Sequence, residues 1–163
     1  MAKIRTNIGL SDAQRDGATR ILNGILADEY VLYTKTRNFH WNVTGPEFDD
    51  LHKFFEGQYE QIDEMIDEIA ERVRALGKTP IATLGEFLKV ARLKETTKTL
   101  TAVQMVEKLL EDHDTLIRQL RDDQDKIAGK FGDAGNQDSI IGWMKTHEKM
   151  AWMLRSIVEG WNS

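Results

Sequence analysis

From Phe48 to Leu76 an apolar residue returns at every third or fourth position: Phe48, Leu51, Phe55, Tyr59, Ile62, Ile66, Ile69, Val73 and Leu76. Only an α-helix brings such positions onto one face, and a helix of that length must bury its apolar stripe against other helices. The same spacing recurs with Leu22, Leu26 and Tyr33 between Ser11 and about Asn42, and with Met105, Leu109, Leu116 and Leu120 from Thr101 to about Lys126. It recurs again with Ile140, Met144, His147, Ala151, Leu154 and Val158, from about Asp138 to Glu159. Ser11-Asp-Ala-Gln14 and Thr101-Ala-Val-Gln104 are capping-box patterns that open two of these helices. Gly45-Pro46 separates the first from the second, with Pro46 suited to the second helix's first turn, and Gly77-Lys-Thr-Pro80 ends that helix. Gly129–Gln137, with three glycines and one aspartate, reads as a loop.

Four long helices without a strand pattern predict an all-α four-helix bundle. The connection over 81–98 is long, carries one short helix around Leu84–Leu93, and suits a crossover between helices two and three. Helices of this length span about 45 Å. The bundle is expected over residues 11–160, with a short tail at 1–10 and a short end at 161–163.

The chain has no cysteine, so any metal must sit on oxygen and imidazole ligands. No apolar run is long enough for a membrane span, and Met1-Ala-Lys-Ile-Arg-Thr-Asn7 lacks an apolar signal core, so a cytoplasmic location is expected. The net charge of −5 argues against a nucleic-acid-binding body, with only Lys3 and Arg5 as a basic start.

Beside its apolar stripe the second helix carries another row: His52, Glu56, Asp63, Asp67 and Glu71. Charged rows on bundle helices usually face water. Here, however, His52/Glu56 and Asp67/Glu71 repeat the same four-residue step, and residues four apart point the same way, so each pair can grip one cation. Carboxylate with imidazole suits Fe(II), Mn(II) or Zn(II). The pairs cannot share a metal within one chain, because fifteen residues from His52 to Asp67 are about 22 Å of helix. An antiparallel copy meeting the first near Gln61–Ile62 would bring each pair beside the other and create two equal sites. His40, at the end of the first helix, is folded back toward His52 by the Gly45-Pro46 turn.

Asn38-Phe-His-Trp-Asn-Val-Thr-Gly45, then Phe48-x-x-Leu-His52-x-x-Phe55-Glu56, then Asp67-x-x-Ala-Glu-Arg72 resemble the signature of the Dps family, the DNA-binding proteins from starved cells. The similarity continues through Thr79-Pro-Ile-Ala-Thr-Leu84 and the last two helices. It implies a ferritin-like bundle, a twelve-subunit shell built from two-fold dimers, and iron-oxidising centres across the two-fold interface. His40, His52 and Glu56 would come from one subunit and Asp67 and Glu71 from its neighbour. Many members have aspartate where this chain has Glu56, which keeps the charge and reaches one methylene further. The resemblance further implies Fe(II) as substrate, oxidation preferentially by hydrogen peroxide, and ferric iron stored in the cavity. Trp41 is placed to meet stray oxidising equivalents, and acidic residues near Asp133 and Asp138 would line the iron-entry pore.

Asp138 also reads as the N-terminal cap of the last helix. His113 and His147 lie on apolar stripes and read as packing. A larger-ferritin site within one bundle would need Glu-x-x-His on two helices, and Leu110 and Met144 stand where those glutamates belong. The alternative function is a DNA-coating nucleoid shell with incidental metal binding, which the acidic body opposes.

Overall fold

The computed structural model describes residues 6–161; residues 1–5 and 162–163, and with them Lys3 and Arg5, lie outside the described residues. The elements are α1 (Asp12–Asn42), α2 (Phe48–Ala75), α3 (Leu84–Val90), α4 (Ala102–Phe131) and α5 (Ala134–Trp161), with no strand among the described residues. None of these helices is long and apolar enough to cross a membrane.

Cross-helix hydrogen bonds set the directions. Gln14 donates to the Phe131 carbonyl at 3.0 Å and Lys35 to Asp112, so α1 and α4 run in opposite senses. Trp143 donates to Glu68 and Arg72 to Asn136, which makes α2 and α5 antiparallel as well. The tight α1–α2 and α4–α5 turns then leave α2 and α4 parallel. Their link must travel the length of the bundle, which is the expected crossover. The core between the helices is one cluster, with Leu22, Phe55, Ile62, Leu116, Leu120 and Leu154 fully buried.

Both expected capping boxes form, Ser11 with Gln14 and Thr101 with Gln104. A third, Thr83 with Glu86, opens α3 and is legible in the sequence as Thr-x-x-Glu. Pro46 falls in the turn rather than in α2, whose N-cap is Glu47. The segment Gly129–Gln137 is not a loop. Gly132, at φ 62°, closes α4 in the left-handed conformation that glycine adopts without strain, and the Asp133 amide reaches back to the Ile127 carbonyl. Asp133 then caps α5 by accepting the Asn136 amide at 3.0 Å. The break is therefore two residues long, and Asp138 lies inside the helix, not at its cap. The other two glycines stay helical; Gly135 leaves room for the Arg72 guanidinium, which a Cβ would meet at 3.1 Å.

The crossover is pinned by one buried carboxylate. Asp28 accepts the amides of Arg92 (2.6 Å) and Leu93 (2.9 Å) and the Arg92 guanidinium (2.7 Å), which in turn reaches Asp123. Those amides are the ones another turn of α3 would have used, so the helix stops at Val90. Phe87 of α3 also stacks on Tyr30 at 4.0 Å. Asp28→Ala would strand two amides and leave the Arg92 guanidinium with Asp123 alone, and we expect it to cost about 3 kcal/mol, read by urea unfolding; an unchanged midpoint would show that apolar contacts alone hold the crossover.

Candidate metal centre

His40 ends α1 and His52 lies in the first turns of α2, joined by a turn in which Gly45 takes φ 121°. Their imidazoles stack at 3.7 Å between centroids, inclined by 21°. Each ring nitrogen Nδ1 faces the other residue's backbone carbonyl, at 2.7 Å from His40 to His52 and 2.9 Å in return. A carbonyl can only accept, so each Nδ1 carries a hydrogen, and the neutral tautomer this selects has its lone pair on Nε2. That is the tautomer a metal needs, held by a backbone partner on the far side of the ring. His40 is only 7% exposed.

Glu56 stands one turn beyond His52, half-buried. Tyr59, edge-on to His40 at 5.3 Å, donates its hydroxyl to Glu56 at 3.3 Å. Desolvation first, and the Glu56 carboxylate second, push the Tyr59 phenol above its ordinary 10.0, so it remains a donor. Asp67 and Glu71 are exposed further along α2 and make no hydrogen bond or ion pair among the described residues. Asp67, Asp63 and Glu64 line a groove together with Leu26, Tyr30, Ile66, Ala70, Ile81 and Phe87. Nearby on α3, Leu84 is 72% exposed. Within one chain, no three His, Asp or Glu side chains among the described residues converge to hold a cation.

Residues 19–162 match the ferritin-like domain family. A Bacillus anthracis protein named DNA protection during starvation protein 2 is 40% identical over 138 residues, 85% of this chain and 94% of that one. The chain belongs to the Dps branch of the ferritin-like family. An uncharacterised low-temperature-induced protein of Nostoc is 49% identical over 96% of this chain and 88% of its own length. The crystal structure of the Vibrio cholerae Dps, described as a member of a broad superfamily of ferritin-like diiron-carboxylate proteins, superposes with a TM-score of 0.88. It is 33% identical, over 97% of this chain and 99% of that one.

The other expected Dps positions fare differently in this chain. Trp41 is 63% exposed, with the Arg37 guanidinium 5.1 Å above its ring. Asp133 is buried, and both its oxygens are taken by Asn136, whereas Asp138 is exposed to solvent one turn into α5.

His113 and His147 are in the core, as their apolar rows imply, but they do more than pack. Nδ1 of His113 and Nδ1 of His147 lie 2.9 Å apart, and Nε2 of His147 lies 2.9 Å from Glu29; all three residues are 0% exposed. The carboxylate takes the Nε2 hydrogen of His147, which leaves His147 Nδ1 to accept from His113. Sequence reasoning misses Glu29 as a partner, although a carboxylate in the apolar row Leu22, Leu26, Glu29, Tyr33 is the available signal. Nε2 of His113 and the second Glu29 oxygen have no partner.

Burial first, then neighbouring His147, hold the His113 imidazole well below its ordinary 6.5. Above 6.5 both folded and unfolded chains keep this group neutral and it adds no pH dependence. Below it the unfolded chain takes up a proton that the folded core refuses, so stability falls by up to about 1.4 kcal/mol per pH unit. We expect His113→Gln to flatten stability measured by urea unfolding below pH 6.5 relative to its own neutral value; an unchanged slope would place the acid sensitivity in another group.

Proposed function

We propose that this protein is an iron-oxidising mini-ferritin: Fe(II) is its substrate, hydrogen peroxide its preferred oxidant, and ferric iron is stored in a hollow cytoplasmic shell of twelve subunits. The observation that carries the reading is the pair of half-sites at the two ends of α2, the first shared with His40 of α1. One half has two imidazoles whose Nδ1 atoms are held by carbonyls, with Glu56 one turn further along α2; the other has two unengaged carboxylates, Asp67 and Glu71. They are about 22 Å apart, and each half is incomplete. A second subunit packed antiparallel about a two-fold axis would complete both. The groove that Asp67 lines, and Leu84 exposed on α3, supply a surface for such a partner to cover.

In that arrangement His40, His52 and Glu56 of one subunit, with Asp67 and Glu71 of the next, hold Fe(II) through nitrogen and hard oxygen donors. Two Fe(II) each give one electron to a hydrogen peroxide molecule, which takes two protons and leaves as water. The reciprocal histidine bonds hold the imidazoles in their ligating orientation before iron arrives, and the buried position of His40 limits competing water. Ferrous ion and peroxide are removed together, which protects DNA without touching it. Exposed Asp138 is available to draw cations toward the shell; Asp133 is committed to its cap. Trp41, exposed beside the site, is available to intercept oxidising equivalents.

Refolding equal amounts of His52→Ala and Asp67→Ala tests the split site. Each variant alone should be inactive. Random pairing makes half the dimers mixed, each with one sound site, so about a quarter of wild-type ferroxidase activity should return. Sedimentation must first show that both variants assemble and exchange. A mixture as inactive as its parents would mean that the ligands are not shared between subunits.

Twelve chains at −5 each carry roughly −60, which opposes the phosphate contacts that dominate DNA binding. Duplex DNA should therefore be retarded weakly or not at all at about 150 mM salt. Strong retardation at that salt would favour the DNA-coating reading instead.

A further inference from the structure

We propose that Tyr59 is a positioning residue for Glu56, and that Arg37 clamps Tyr59 in place; the inference rests on Glu56 serving as an iron ligand.

A glutamate has one more rotatable bond than an aspartate, so its carboxylate sweeps a wider volume and loses more freedom when it grips a cation. On an exposed helix face nothing would limit that sweep. Here the Tyr59 hydroxyl, three residues on along α2, donates to Oε1 of Glu56 at 3.3 Å. One oxygen is tethered, and Oε2 is left for the cation. The tether takes up the extra methylene.

A phenol can tether only if its own ring is fixed, and Tyr59 is held on three sides. His40 meets it edge-on at 5.3 Å and 78°, and Tyr33 meets it at 6.0 Å and 89°. The Arg37 guanidinium lies 5.1 Å from its centroid. Arg37 is itself located by donating to the Tyr33 hydroxyl at 2.6 Å, with its carbon 5.5 Å from the Tyr33 ring and 5.1 Å from Trp41. Tyr33, Arg37 and Trp41 are four residues apart on α1, so one helical face presents the whole clamp to α2. A guanidinium over aromatic faces is attracted by their quadrupoles, which keeps this cation on the rings and out of the ligand set. The line of contact runs from Arg37 through Tyr59 to Glu56.

The test is anaerobic Fe(II) titration by calorimetry, followed by oxidation rates with peroxide, on the assembled protein. Tyr59→Phe keeps every ring contact and removes one hydroxyl. It should weaken Fe(II) binding by about three- to tenfold, the net worth of one ordinary hydrogen bond, as suits a contact of 3.3 Å, and raise KM while leaving kcat near wild type. In a Glu56→Asp background the shorter carboxylate cannot reach the hydroxyl, so adding Tyr59→Phe should change nothing further. Arg37→Met should give part of the same loss, and none on top of Tyr59→Phe.

Wild-type affinity in Tyr59→Phe, with binding lost in His52→Ala, would overturn the positioning role and leave the iron site standing. An equal loss from Tyr59→Phe in the wild-type and Glu56→Asp backgrounds would also overturn it, because Tyr59 would then act through packing. Undiminished binding in His52→Ala would overturn the iron site itself, and with it the ground of this inference.

Discussion

At the turn of the α1–α2 hairpin, Phe39 packs near Phe55 and two histidines exchange Nδ1 hydrogens for each other's carbonyls. These bonds do two things at once. They give a partner to the His40 carbonyl, one of the last in α1 and without an intrahelical donor, add a second bond to the helical His52 carbonyl, and fix the angle of both imidazoles. Fold and chemistry meet at that point: the contact that aligns α1 with α2 also leaves both Nε2 atoms ready to bind. The aromatic cluster of Tyr33, Tyr59 and Trp41 around Arg37 extends the same joint by two turns.

The rest of the bundle shows how a small fold carries buried polar groups. Asp28 is fully buried, yet every hydrogen bond it makes holds the crossover against α1, so its cost is offset by partners. The Glu29–His147–His113 chain is less complete, because one oxygen and one nitrogen remain without partners. Three ionisable groups from three helices meet in a core where nothing else competes for them. Burial and the neighbouring His147 keep the His113 imidazole from taking up a proton in this core, so the stretch resists charging rather than inviting it.

On the proposed reading, the division of labour along α2 is what calls for a second copy. One row of the helix is buried in its own bundle through Phe55, Ile62 and Ile69. The neighbouring row carries His52 and Glu56 at one end and Asp67 and Glu71 at the other, and a rigid helix keeps them apart. No bending of one chain can bring them together. A helix that is straight enough to hold a bundle is for that reason unable to close a metal site on itself.

Much of this is legible in the residues. The helix faces follow from a repeat of three and four, the capping boxes from Ser11 and Thr101, and the separation of the half-sites from rise per residue alone; all are local consequences of backbone geometry. The α4–α5 turn is misread from sequence because three glycines in a short span look like a loop. Whether a glycine ends a helix depends on which one takes positive φ, and Gly132 does so while Gly129 and Gly135 remain helical. The imidazole tautomers, the tether on Glu56 and the partner of His147 are also beyond sequence. Each is a contact between residues on different helices or a choice among rotamers. A periodic pattern determines which face of a helix is buried, but only the packed bundle decides what that face touches.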